Sequence, residues 1–153
     1  MSKENVEVAK ALFPAPLDLA AVFATSEALD AARLHFEHLV DPSFVTVHDP
    51  SAAALGIGNP TVNGTTEGIE GFIALWRDYL SAWDSWVVTP IDFVDIDDER
   101  VLVLLDYDGR SKTHGAEITL AGGNLLEMSD GKLTRLALFF KRKDALAAAG
   151  LSE

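Results

Sequence analysis

The chain has 153 residues, of which 48% are hydrophobic, so a single domain over residues 1–153 can bury a full core, and disorder is excluded. It contains no cysteine, which excludes disulfides, a thiolate nucleophile and a cysteine-based zinc site. The formal net charge of -12 disfavours nucleic acid and membranes as partners. No stretch has the pattern of a signal peptide or a membrane span, and we expect a cytoplasmic protein.

The N-terminal part of the chain is predicted to be mainly helical. Residues 5–12 predict a short helix, which two following prolines end. Apolar residues recur at helical spacing over residues 17–39, which predicts one or two helices, the second of them capped near Ser26. We expect Asp41 and Pro42 to end this helical part.

A short strand, a loop and a second short strand are predicted next. Residues 44–47 are β-branched and aromatic, which predicts a strand that ends at His48 and Asp49 with the proline that follows. Residues 51–60 carry two glycines and a proline, a composition typical of a flexible loop. Residues 61–64 predict the second short strand.

An aromatic helix follows over residues 68–82, and Thr65 or Thr66 is predicted to cap it. Helical spacing places its largest side chains on one broad apolar stripe, which predicts a face buried against the rest of the protein. The members of the stripe are Phe72, Leu75, Trp76, Tyr79, Leu80 and Trp83.

The back half of the chain predicts long antiparallel strands joined by turns. Residues 86–96 form the first, in which Pro90 indicates an edge or a bulge. Residues 100–111 form the second, whose initial apolar run should be covered on both faces. Residues 114–128 contain two adjacent glycines that indicate a bulge or bend, and residues 133–142 form the last strand before a short helix closed by glycine.

This order of elements predicts an α+β fold, because helices precede an antiparallel meander. Long strands beside one aromatic helix further predict a strongly curved sheet around a cavity. A cavity of that kind implies a small ligand.

Two segments of the sequence resemble a known family. Residues 43–50 and 62–72 are similar to the opening of SnoaL-like proteins of the nuclear transport factor 2-like (NTF2-like) superfamily, and residues 144–151 are similar to the end of many bacterial members. The resemblance implies an NTF2-like cone, in which N-terminal helices pack on the concave face of a strongly curved antiparallel or mixed sheet. It also implies a homodimer paired through sheet faces.

The resemblance suggests two functions. The first is binding of a small apolar compound of polyketide or terpenoid type, with cofactor-free isomerase, cyclase or hydrolase chemistry on it. The second is a non-catalytic module for ligand binding or dimerisation. The superfamily contains both enzymes and non-enzymes, and a fold does not by itself determine a reaction.

The resemblance supplies a candidate general base. Ketosteroid isomerases of the superfamily carry the base in a Val-x-Asp-Pro motif, which residues 47–50 match, so Asp49 is the candidate. The alternative is ordinary turn chemistry at an Asp-Pro pair. Those enzymes also use an acidic donor on a later strand, near Asn124 here, whose amide can donate a hydrogen bond to a ligand. Their tyrosine on an early helix has no counterpart in this chain.

Further candidates come from the residues themselves. His48 adjoins Asp49 but points to the opposite face of a continuing strand, so only one of the two should reach a cavity. Asp106 and His114 could form an acid–base pair across a hairpin, or an ordinary surface pair. The aromatic side chains Trp76, Tyr79 and Trp83 are either core or ligand contacts.

No metal site is predicted, because His35 and His38 share a helical face without a third ligand.

Overall fold

The computed structural model describes residues 2–14, 16–48, 65–112 and 115–151. Within these ranges three helices lie in the first part of the chain, a fourth lies between two short strands and four long ones, and one helix closes the chain, which is an α+β order. None of the described helices is long and apolar enough to cross a membrane. The helices are α1 (Ser2–Leu12), α2 (Leu19–Ala24), α3 (Ser26–Glu37), α4 (Gly68–Leu80) and α5 (Arg142–Ala148).

Seven strands form one mixed sheet in the order β1-β4-β5-β6-β7-β2-β3. Neighbours pair antiparallel except β2 and β7, which run parallel. The sheet is a curled half-barrel with the helices packed on it, as expected of an NTF2-like fold. The strands are β1 (Leu17–Asp18), β2 (Val40–His48), β3 (Thr65–Glu67), β4 (Trp83–Asp95), β5 (Arg100–Ser111), β6 (Glu117–Ser129) and β7 (Lys132–Phe139).

The first half of the central strand β5 is buried on both faces, as its apolar sequence predicted. Val101, Leu102 and Val103 are consecutive and each is 0% exposed, although neighbouring side chains point to opposite faces of a sheet. Val103 belongs to the main core between the sheet and helices α1 to α4, whereas Leu102 packs against α5 on the other face. The sheet therefore has an inner face, toward the first four helices, and an outer face that α5 covers in part.

A turn, a register shift and a helix end can each be traced to one residue. The Asp97 carboxylate accepts hydrogen bonds from the backbone N–H of Glu99 and of Arg100, each at 2.9 Å, and so forms the β4–β5 turn. These donors, with the Arg100 side chain, hold the pKa of Asp97 below its usual range. The predicted register shift at Pro90 is present in β4. Gly150, with φ of 78°, ends α5 as expected.

Two details of the prediction are wrong. Asp41 and Pro42 lie within β2 rather than at a helix end, because β2 begins at Val40 and pairs with β7. Thr65 and Thr66 lie in β3, and Glu67 takes the N-cap position of α4 without a side-chain hydrogen bond.

Of the bulge or bend predicted at Gly122 and Gly123, the bulge is not present, since β5 and β6 stay in register across both. These glycines instead permit close packing: a Cβ atom on Gly122 would lie 2.8 Å from Cε2 of Tyr107. The predicted loop over residues 51–60 and strand over residues 61–64 lie outside the described residues.

Candidate functional site

A cavity of about 120 Å³ lies between the inner face of the sheet and the N-terminal helices. Its wall is almost entirely hydrocarbon, because α3 and α4 each present a stripe of side chains at positions i, i+3, i+4 and i+7. Strand β2 and strands β4 to β7 form the floor. The helical stripes consist of Leu29, Ala32, Arg33 and Phe36 on α3, and of Ile69, Phe72, Ile73 and Trp76 on α4.

One buried polar pair interrupts the apolar floor. The Tyr107 hydroxyl donates a 3.1 Å hydrogen bond to Oδ1 of Asn124, and these residues are 1% and 4% exposed. Burial raises the pKa of Tyr107, so its phenol stays protonated and keeps donating. This bond orients the amide. Its nitrogen, Nδ2, has no hydrogen-bond partner among the described residues, so the cavity floor offers an amide NH2 group to an acceptor atom.

An aromatic layer supports this floor. The Trp86 and Tyr107 rings stack with centroids 5.8 Å apart, and Tyr79 meets Trp86 edge-on at 4.9 Å. Burial, and then the nearby Tyr107, raise the pKa of Tyr79. Of the three aromatic candidates, Trp76 lines the cavity, whereas Tyr79 and Trp83 belong to the layer behind the lining. The structure thus brings Trp76 and Asn124 to one cavity.

Asp106 lies on the outer face of the sheet, away from the cavity. Its neighbour Tyr107 points inward, and alternation along β5 turns Asp106 outward. Oδ1 of Asp106 accepts a 3.3 Å hydrogen bond from Arg142 of α5. Asp108, on the same face, accepts a 3.0 Å hydrogen bond from Thr119. These partners fit a structural role for both carboxylates in binding strands and helix together.

Two of the sequence candidates are not placed. Asp49 and His114 lie outside the described residues, as does the side chain of His48. His48 is the last residue of β2. Its backbone pairs with that of Leu138, a residue that lines the cavity. The chain therefore leaves the sheet beside the cavity immediately before Asp49.

The cavity contains one group that was not identified from the sequence. Arg33 lies in the α3 stripe between Ala32 and Phe36, and it forms an ion pair through Nη2 with Oε1 of Glu70 on α4. Its Nε atom is buried without a hydrogen-bond partner among the described residues. An arginine at an apolar position of an amphipathic helix was the available signal.

Metal ligands are not assembled in the part of the chain that the structure describes. No group of three or more His, Asp or Glu side chains there could hold an ion. Instead, His35 approaches the backbone oxygen of Ala11, with its Nε2 at 2.9 Å.

Comparison of the sequence with protein families identifies one matching family. The sequence model of the SnoaL-like domain matches residues 19–136. Among curated proteins, none matches the chain in sequence.

Solved structures share the fold at low sequence identity. TerC, co-crystallised with polyporic acid, is 22% identical, with a TM-score of 0.65 over 90% of this chain and 92% of TerC. A proposed SnoaL-like polyketide cyclase from Jannaschia sp. CCS1 is 18% identical, with a TM-score of 0.65 over 90% of this chain and 85% of that protein. An NTF2-like protein of unknown function from Burkholderia pseudomallei K96243 is 15% identical, with a TM-score of 0.66 over 94% of this chain and 95% of that protein.

Proposed function

Because the chain belongs to the family of SnoaL-like domains, we propose that it binds one small, mostly apolar organic compound in the cavity beneath its N-terminal helices. The observation that carries the proposal is the composition of the cavity wall. The wall is hydrocarbon apart from Arg33, the Tyr107–Asn124 pair and the indole nitrogen of Trp76. Such a surface favours apolar matter over water, and the few polar groups orient what enters.

The cavity volume limits the size of the compound. At about 120 Å³ the space suits at most a single ring, since apolar cavities of about 150 Å³ are known to bind benzene. A larger polyketide- or terpenoid-like ligand needs the helices to move outward. The names of two structural neighbours support this ligand class, because one was crystallised with polyporic acid and another is a proposed polyketide cyclase.

Thermal unfolding with neutral single-ring probes tests the proposal. Ethylbenzene, indole and acetophenone should raise the melting temperature of the wild-type protein, because a ligand of the native state stabilises it. At a free concentration of about 100 times Kd the gain is about 2.7 kcal/mol.

Two neighbouring alanines provide a matched pair of variants. Ala32 lines the cavity and Ala31 is exposed on the same helix. We expect Ala32→Leu to fill the space and abolish the probe-induced shift, while Ala31→Leu leaves the shift unchanged. Equal shifts in both variants, or no shift in the wild type with any probe, would rule out this cavity as the binding site.

Catalysis on the bound compound is the second candidate function. In this proposal Asp49, which follows the cavity-side end of β2, takes a proton from a carbon next to a carbonyl group. Nδ2 of Asn124 donates a hydrogen bond to the carbonyl oxygen, where negative charge develops. The unpartnered amide nitrogen supports the role of Asn124, and the match of residues 47–50 to the Val-x-Asp-Pro motif supports the role of Asp49. Without such a reaction, the same cavity serves a non-catalytic ligand-binding module.

A further inference from the structure

Arg33 stands where the pattern of its helix calls for an apolar side chain. Leu29, Ala32 and Phe36 surround it in the same stripe, and all four residues line the cavity. Among the described residues of the lining, Arg33 alone carries a formal charge. A charged group in an apolar wall is costly to desolvate unless it is paired, so its presence at this position calls for a partner.

The partner that Arg33 has in the structure is a weak one. Its ion pair with Glu70 uses a carboxylate side chain that is 77% exposed, and exposed ion pairs contribute little to stability. The Nε atom of Arg33 is buried and has no hydrogen-bond partner among the described residues. A guanidinium presents five N–H donors in a fork that matches two oxygens of one acid group. The donor set of Arg33 is therefore only partly used.

The polar groups of the cavity differ in their access to solvent. Tyr107 and Asn124 are almost fully buried, whereas the Arg33 side chain is 34% exposed and reaches solvent. A compound that satisfies this arrangement has an apolar body inside the cavity and an anionic group at the solvent end.

We propose that Arg33 binds the anionic group, such as a carboxylate, of a small apolar organic acid. This group displaces the Glu70 carboxylate from its ion pair with Arg33. This inference rests on the proposed ligand-binding function and adds the charge of the ligand to it. The net charge of the chain is -12, so the long-range field repels anions and Arg33 has to act through direct contact.

Calorimetric titration with phenylacetate and phenylacetamide tests the inference, because the two probes share a shape and differ in charge. We expect wild-type protein to bind phenylacetate about tenfold more tightly, because hydrogen bonds to a charged group are stronger than those to a neutral amide. Arg33→Met keeps the apolar stem and should remove the preference. Glu70→Gln removes the competing carboxylate and should strengthen it. Arg77→Met, which changes an exposed arginine of α4 outside the lining, should leave it unchanged.

Three results would overturn the inference. The first is equal affinity of the wild type for both probes, and the second is an undiminished preference in Arg33→Met. The third is an unchanged preference in Glu70→Gln. That result would assign the ion pair to helix packing alone. The Glu70→Gln variant also provides the test if Arg33→Met does not fold. Ethylbenzene separates the two proposals: if it stabilises the protein while phenylacetate has no advantage, only the anion site is wrong.

Discussion

At the scale of single residues, a variant of Asp49 distinguishes the proposed enzyme from a binding module. The test is exchange of the acetophenone methyl protons in deuterated water, followed by NMR, because abstraction of such a proton is the proposed first step. We expect Asp49→Asn to slow the protein-dependent exchange about 100-fold or more, which is the usual contribution of a positioned general base. The ligand-induced thermal shift should persist, since the amide keeps the shape of the carboxylate.

Asp30→Asn is the control for this experiment, because Asp30 is exposed on α3. Exchange that survives in Asp49→Asn would assign the base to another group. A wild-type protein that binds acetophenone without exchanging its protons would be a binding module.

At the scale of elements, one carboxylate connects the N-terminal helices to the sheet. Oδ1 of Asp18 accepts hydrogen bonds from the N–H of Ala20 at 3.1 Å and of Ala21 at 3.4 Å, and so caps α2. It also accepts one from the N–H of Trp86 at 3.0 Å, where β1 lies beside β4. The same atom therefore fixes both the start of α2 and its position over the cavity.

We expect Asp18→Ala to lower the free energy of unfolding by about 1–2 kcal/mol, because loss of an N-cap leaves helical N–H groups without partners. Asp18→Asn retains an acceptor oxygen and should cost less. Urea denaturation measures both, with Asp95→Ala at an exposed position of β4 as the control. A loss in Asp18→Ala no larger than in the control would show that the cap contributes little.

At the scale of the whole molecule, the two faces of the sheet differ in how far helices cover them. The inner face is covered by α1 to α4 and holds the cavity. On the outer face, α5 covers one end through Ala145 and Ala149, while the other end carries exposed polar residues such as Asp108 and Thr119. That uncovered end is available to a second copy of the chain.

We expect a homodimer paired through this outer face, with a mass by light scattering twice the 16.5 kDa of one chain. Thr119→Lys should shift the mass toward that of one chain, because a symmetric contact brings a buried charge into the interface. Added salt should favour the dimer by screening the repulsion between two acidic chains. A single-chain mass for the wild type at every salt concentration would contradict the expectation.

Much of the fold could be predicted from local pattern. Alternation and the continuous apolar run marked β5 to the residue, and helical spacing separated α3 and α4 from the strands around them. The boundaries failed where long-range pairing overrode local chemistry. Pro42 ends a helix in most contexts, but here it lies in β2, because the partner strand β7 extends the pairing back to Val40.

The candidate site could be predicted only in part. Asn124 and Trp76 do line the cavity, whereas Tyr79 and Trp83 carry the same aromatic pattern and lie behind it. Helical spacing marks a buried stripe but does not say which members of the stripe border empty space.

The sequence by itself determined the order of the elements, the apolar face of each and the resemblance to SnoaL-like proteins, because these depend on neighbours along the chain. Only the tertiary structure decided that β2 runs parallel to β7, that Tyr107 orients Asn124 and that Arg33 borders the cavity. Each of these joins residues far apart in sequence. Such contacts follow from how the whole sheet curls and how the helices pack on it, which no local periodicity specifies.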